Sequence, residues 1–163
     1  MTKKCLLKTD GYQISLDVRD AEASHEYVDV VVALTLDRYL GDLVVKSTST
    51  LIALRDLSRL VKYFERHIVQ LLHNPDYQSE IFVPMELGFQ VQALSGEVYT
   101  ENDGEFSLRF LLNVGKSEEM HHRVYVGGES VVTLKDIKIF LSSLHEILAA
   151  LSHPDGVRFS EHL

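Results

Sequence analysis

At 163 residues, with 45% hydrophobic and 25% charged residues and a formal net charge of −8, the chain has an ordinary globular composition and enough length for a real core in one domain. The negative balance argues against nucleic acid and against an anionic membrane surface. A single cysteine, Cys5, excludes an internal disulfide and fits a reducing compartment. No apolar run approaches the roughly 20 residues of a membrane span, and no signal-peptide core follows the basic start, so the expected location is cytoplasmic.

In chain order, Leu6 to Lys8 and Tyr12 to Val18 flank Asp10-Gly11, and Ile14, Leu16 and Val18 alternate with polar neighbours. That pattern predicts two strands joined by a tight turn. Arg19 to Glu26 is polar and reads as a loop. Tyr27 to Leu36 is rich in β-branched residues and predicts a central strand. Leu43 to Thr48 is a further strand candidate. Leu54 to Leu72 is an amphipathic helix that stops near His73, because Pro75 cannot continue it. Ser49 and Thr50 are candidate caps for a start one turn earlier, whereas Ala53 has no capping oxygen.

Beyond the polar stretch 76–80, Ile81 to Met85 carries Pro84 and suits a sheet edge or a lead-in. Leu87 to Val98 and Phe106 to Val114 predict strands around the turn Asn102-Asp103-Gly104. Arg123 to Val126 reads as a short strand ended by Gly127-Gly128. Thr133, with Asp136 three residues on, resembles a capping box that opens a second helix running to about Ser152, where Pro154 stops it. The tail 153–163 shows no periodicity.

The two helices share a register. Leu54, Leu57, Leu60, Val61, Phe64, Ile68 and Leu71 map, 80 positions on, to Leu134, Ile137, Phe140, Leu141, Leu144, Leu148 and Leu151. The spacing extends upstream, from Val28 to Val32 onto Leu108 to Leu112. The expected fold is therefore α+β, a single domain over 1–163 with an internal repeat, 1–75 and 81–152. Its two pseudo-symmetric strands-then-helix halves would lay two long amphipathic helices across one antiparallel sheet of about six to eight strands.

Candidate chemistry is sparse. Arg55, Arg59, Lys62 and Arg66 recur at steps of four, three and four, a basic stripe opposite the apolar face and a candidate partner-binding surface. The second helix lacks it, holding Lys135, Ile139, Ser142 and Glu146 instead. Ile139 with Ser142 and Ser143 forms a weakly apolar outer face, a candidate dimer face. His121-His122 after Glu118-Glu119 lacks converging ligands for a metal, and Glu101 to Glu105 lacks calcium-loop spacing. Cys5 and Ser95 lie in no nucleophile context, and Gly127-Gly128 before a helix lacks the lysine and third glycine of a phosphate cradle. No catalytic residue, metal or cofactor is expected.

The stretch Phe82-Val83-Pro84-Met85-Glu86-Leu87-Gly88-Phe89, placed after a helix and before strands and a closing helix with Phe140-Leu141 and Leu144, resembles the WapI-like immunity proteins of bacterial polymorphic toxin systems over roughly Asp29 to Leu148. Pro84 stands ahead of Met85-Glu86 where that family carries a Glu-Pro pair. The resemblance implies a non-enzymatic protein that neutralises a toxin by binding it, and it transfers no site residue. The repeated strands-then-helix order also looks like the single-stranded nucleic acid binders of the Whirly type. Those need a basic groove with aromatic platforms, and only Arg109 and Arg123 are basic on the second-half strands. The expectation is a protein-binding module, with single-stranded nucleic acid binding as the alternative.

Overall fold

A computed structural model describes residues 2–20, 26–115 and 123–152. Its elements are β1 (Thr2–Lys8), β2 (Tyr12–Asp20), β3 (Tyr27–Leu36), β4 (Val44–Lys46), β5 (Thr50–Ala53), α1 (Leu54–His73), β6 (Phe89–Thr100), β7 (Asp103–Asn113), β8 (Tyr125–Thr133) and α2 (Leu134–Ser152). The fold is α+β, two strands-then-helix halves. The eight strands make two antiparallel sheets rather than the single expected one. Sheet A runs β1-β2-β3-β4, with β5 also on β3, and sheet B runs β6-β7-β8.

The halves are interlocked. Helix α1, which closes the first half, packs mainly against β6 of sheet B, whereas α2 packs mainly against β1 of sheet A. The helices also touch each other, Phe64 meeting Phe140 edge-on at 6.2 Å. Each half thus depends on the other to bury its sheet. The core is one continuous cluster in which Phe64, Phe89, Phe106, Phe110 and Phe140 are all fully buried. Burying each phenylalanine contributes about 2–3 kcal/mol.

The turns are exchanged in the same way. At the β1–β2 turn, Asp10 N–H donates to the Val131 carbonyl at 2.9 Å and Gly11 N–H to Ser130 Oγ at 2.8 Å, both on β8. In the other half, Gly88, just before β6, lies against Thr50 at the start of β5; a Cβ there would stand 3.3 Å from Thr50 Cγ2. The counterpart of β1 is reduced to one bridge, Phe82 with Val91, in place of Cys5 with Leu16. Pro84, which cannot donate to a ladder, helps to explain that loss.

The repeat needs one correction of register. Tyr27 pairs with Ala53, and Glu105 with Thr133, each of the latter standing directly before a helix. Val28 therefore corresponds to Phe106, Val30 to Leu108 and Val32 to Phe110, two positions from the mapping that a constant spacing implies. A slip of two keeps every side chain on its own face, so the apolar pattern is blind to it.

Two local expectations change. Gly127-Gly128 does not end a strand, since β8 runs straight through both. A Cβ at Gly127 would lie 1.8 Å from the Phe110 carbonyl oxygen, so glycine here serves a close backbone approach. Thr50 belongs to β5, and α1 starts at Leu54 with no side-chain cap on Ala53. Thr133 does cap α2, its Oγ1 accepting Asp136 N–H at 3.1 Å and donating to the Asp136 carboxylate at 2.7 Å. No described helix is long and apolar enough to cross a membrane.

Candidate functional site: a strap on helix α1

After α1 the chain turns at Asn74 to Tyr77 and runs back along the helix as a strap, residues 79–85, before entering β6. Four α1 side chains hold it at successive turns. His67 lies deepest, fully buried, with Nδ1 2.9 Å from Ser79 Oγ and Nε2 2.9 Å from the Leu94 carbonyl. A carbonyl only accepts, so Nε2 carries the proton and Nδ1 accepts from the serine hydroxyl. Burial pushes the His67 pKa down to about 4, and the Leu94 carbonyl only partly opposes this. Both ring nitrogens are engaged by protein, so the imidazole is not presented to a ligand.

One turn earlier, Tyr63 OH donates to the Glu80 carbonyl at 2.9 Å and accepts Ala93 N–H at 2.8 Å, while its ring meets Phe82 at 5.6 Å. Burial raises its pKa above the ordinary phenol value. Next comes Arg59, whose guanidinium lies 5.4 Å from the Phe82 ring centre and 2.7 Å from Asp56 Oδ1. Asp56 is almost wholly buried, and its second oxygen accepts Met85 N–H at 2.9 Å. The strap is therefore stitched to one side of α1 at four-residue steps by Arg59, Tyr63 and His67, with Asp56 at its end.

The strap ends in an unusual tip. Met85 is 65% exposed and accepts a contact from Arg55 Nη2 at 3.5 Å. Leu87 has φ +60°, a left-handed conformation that costs a leucine about 1–2 kcal/mol. Three bonds hold it there. Its N–H donates to the Pro84 carbonyl at 2.9 Å, and its carbonyl accepts from Asn113 Nδ2 at 3.2 Å and Tyr125 OH at 3.1 Å. Between them, Glu86 Oε2 is buried without a hydrogen-bond partner. Strain and an orphaned carboxylate oxygen in one partly exposed turn mark it as a functional candidate. A cleft of about 360 Å³, lined by Glu26, Tyr27, Ala53, Leu54 and Arg55, opens at the start of α1.

All four residues of the basic stripe are exposed, but they are not equivalent. Arg59 is committed to Asp56, which makes it part of the scaffold. Arg66 Nε donates to the Lys62 carbonyl of its own helix, at 3.3 Å. Arg55, Lys62 and Arg66 keep their charge at the surface. Of the proposed dimer face, Ile139 is 54% exposed and Ser142 is exposed, whereas Ser143 is half-buried. Its hydroxyl donates to the Ile139 carbonyl at 3.1 Å and lies beside the Cys5 thiol, so it turns toward β1. The thiol donates to the Phe140 carbonyl at 3.4 Å, and burial raises its pKa to about 12, which makes it a poor nucleophile.

Asp56, Tyr63 and His67 escape a reading by helical periodicity because they lie among the apolar positions they accompany. The usable signal is a tyrosine and a histidine at i, i+4 on the inner side of an amphipathic helix. Among the described residues no group of three metal-ligating side chains converges. His121-His122, Glu118-Glu119 and the tail lie outside the described residues. Replacing Asp56 with alanine leaves Met85 N–H unpaired and Arg59 without its carboxylate. Because Arg59 is itself solvated, the expected loss is about 2 kcal/mol, short of the 3–5 kcal/mol of a fully buried pair. Thermal melting and faster amide exchange at Met85 would register it. Compared with known proteins, the chain matches no protein-family model and no curated protein.

Proposed function

We propose that this chain is a non-enzymatic protein-binding module, an immunity-type inhibitor in the sense of the WapI-like resemblance, whose contact surface is the outer side of α1 with the strap tip. The observation that carries this reading is the tip itself. An exposed methionine on a strained turn is fastened beside a row of cations that the fold does not need. The second helix, which serves the same scaffold role, keeps a cation at only one of these positions, holding Lys135, Ser142 and Glu146 where the first helix has Arg55, Lys62 and Arg66. A partner presenting carboxylates to Arg55, Lys62 and Arg66 and an apolar group to Met85 fits this surface.

Capture from an extract of the native host with the full chain, followed by the same capture with Arg55→Glu/Lys62→Glu/Arg66→Glu, tests it. The captured partner is expected to bind the variant about 100-fold more weakly, or roughly 3 kcal/mol. All three side chains are exposed, so the melting temperature should hardly move. Undiminished binding by the variant sinks the proposal.

A second reading, binding of single-stranded nucleic acid, draws on one observation. Lys4, Lys8, Arg19 and Lys46 are exposed on the outer face of sheet A, the side opposite Cys5, Leu7, Leu16 and Val18. Stacking platforms are scarce there, with Tyr27 the one aromatic residue of that face among the described residues. A gel shift with single-stranded DNA at low salt separates the two readings.

A further inference from the structure

The duplicated fold provides an internal comparison for its two sheet edges. In the first half, the strand beside β3 is broken between β4 and β5. There Ser47 N–H donates to the Val32 carbonyl at 2.8 Å, and Ser47 Oγ accepts Val32 N–H at 2.9 Å. An interruption of this kind blunts an edge against further pairing. Its counterpart in the second half, β8, runs nine residues along β7 with no break in register.

Backbone direction along β8 can be read from one bond. The Val131 carbonyl accepts from Asp10, so it points away from β7, and by the period of two so do the backbone groups of Tyr125, Gly127 and Glu129. No backbone hydrogen bond from a described residue reaches those three on that side. Gly127 and Glu129 are exposed, and Val126 is 36% exposed. β8 contains neither proline nor lysine, the residues that commonly protect an edge. Its one charged side chain, Glu129, is paired with Arg109 at 2.7 Å.

We propose that β8 pairs antiparallel with β8 of a second copy about a twofold axis at Gly127, joining two three-stranded sheets into one of six. This register makes three hydrogen-bonded pairs, Gly127 with its own copy and Tyr125 with Glu129 of the second copy in each direction. The side chains agree with it. Glu129 faces a tyrosine instead of a like charge, and Arg109 already neutralises it. Val126 stands opposite Gly128, which adds no side chain of its own and leaves the Tyr12 ring as the neighbour on that face. The occupant is self-complementary because a twofold axis brings the same edge to itself.

Sedimentation velocity from micromolar to millimolar protein should show a monomer–dimer equilibrium. Val126→Lys places a charge beside the axis in each copy and removes no hydrogen bond, so it should weaken the dimer at least about tenfold. Glu129→Pro, which deletes one outward donor, should act in the same direction. Amide exchange at Tyr125, Gly127 and Glu129 should slow as wild-type concentration rises and not do so in Val126→Lys. A chain monomeric at millimolar concentration overturns the proposal. A dimer that survives both substitutions, with fast exchange at those three amides, would lie elsewhere and also overturns it. The outcome is independent of any partner on α1.

Discussion

Lowering the pH from 6.5 to about 4 removes up to about 3 kcal/mol of stability through His67 alone, and His67→Gln abolishes that part of the acid response. The sign follows from the direction of the shift. The unfolded chain protonates this imidazole near its ordinary value of 6.5, while the folded chain resists until about pH 4. Between those values the unfolded state binds more protons, so stability is full above the upper one and falls as pH falls toward the lower. The cause is burial. The ring meets Phe106 at 4.7 Å and Tyr77 at 5.7 Å, and its nitrogens contact Ser79 and Leu94. At neutral pH the substitution itself costs about 2–4 kcal/mol through the lost ring and disturbed hydrogen bonds. Urea titrations of both proteins at several pH values between 4 and 7 decide the matter. Parallel acid losses in wild type and variant would refute the assignment to His67, because the remaining carboxylates titrate in both.

Gly127→Ala is expected to cost about 3 kcal/mol or more, well above an ordinary glycine-to-alanine change in a strand. The new Cβ would fall 1.8 Å from the Phe110 carbonyl oxygen and 2.8 Å from Leu111 Cα, both backbone atoms of the neighbouring strand. A side chain can rotate away from such an approach, but a paired strand has to move bodily. Gly128→Ala is the control, since its Cβ would sit 3.6 Å from the Tyr12 ring, an ordinary contact. A large drop in melting temperature for the first and a small one for the second is the expected pattern. Equal effects would mean that these glycines serve strand flexibility in general.

The two helices and β3 were legible in the chain because their signals are local. Leu54, Leu57, Leu60, Val61, Phe64 and Ile68 repeat at helical spacing, Pro75 ends the first helix, and the β-branched run Tyr27–Leu36 forms a strand with those bounds. Arg59 shows how local and tertiary readings meet. Its bond to Asp56, at i, i+3, is available to any helix carrying this sequence. That Asp56 is buried, however, depends on Met85 arriving from the strap to take its second oxygen. The same holds for Tyr63 and His67, whose partners Glu80, Ala93, Ser79 and Leu94 come from the strap and β6. Ser143 is half-buried, and its hydroxyl lies beside the Cys5 thiol on a strand more than 130 positions away, a contact that no local pattern announces.

By itself, then, the sequence determined the class of the fold, the strands-then-helix order of its two halves, the presence and ends of the two helices and which faces are apolar, since these follow from side-chain periodicity along one segment. Tertiary structure alone decided that each helix covers the other half's sheet, that the strands divide into two sheets, that β8 passes through Gly127-Gly128, and that the strap is stitched to α1. Apolar faces specify burial without specifying a partner, and a register slip of two leaves them unchanged. Only close backbone approach and the pairing of buried polar groups distinguish among the arrangements that such faces allow.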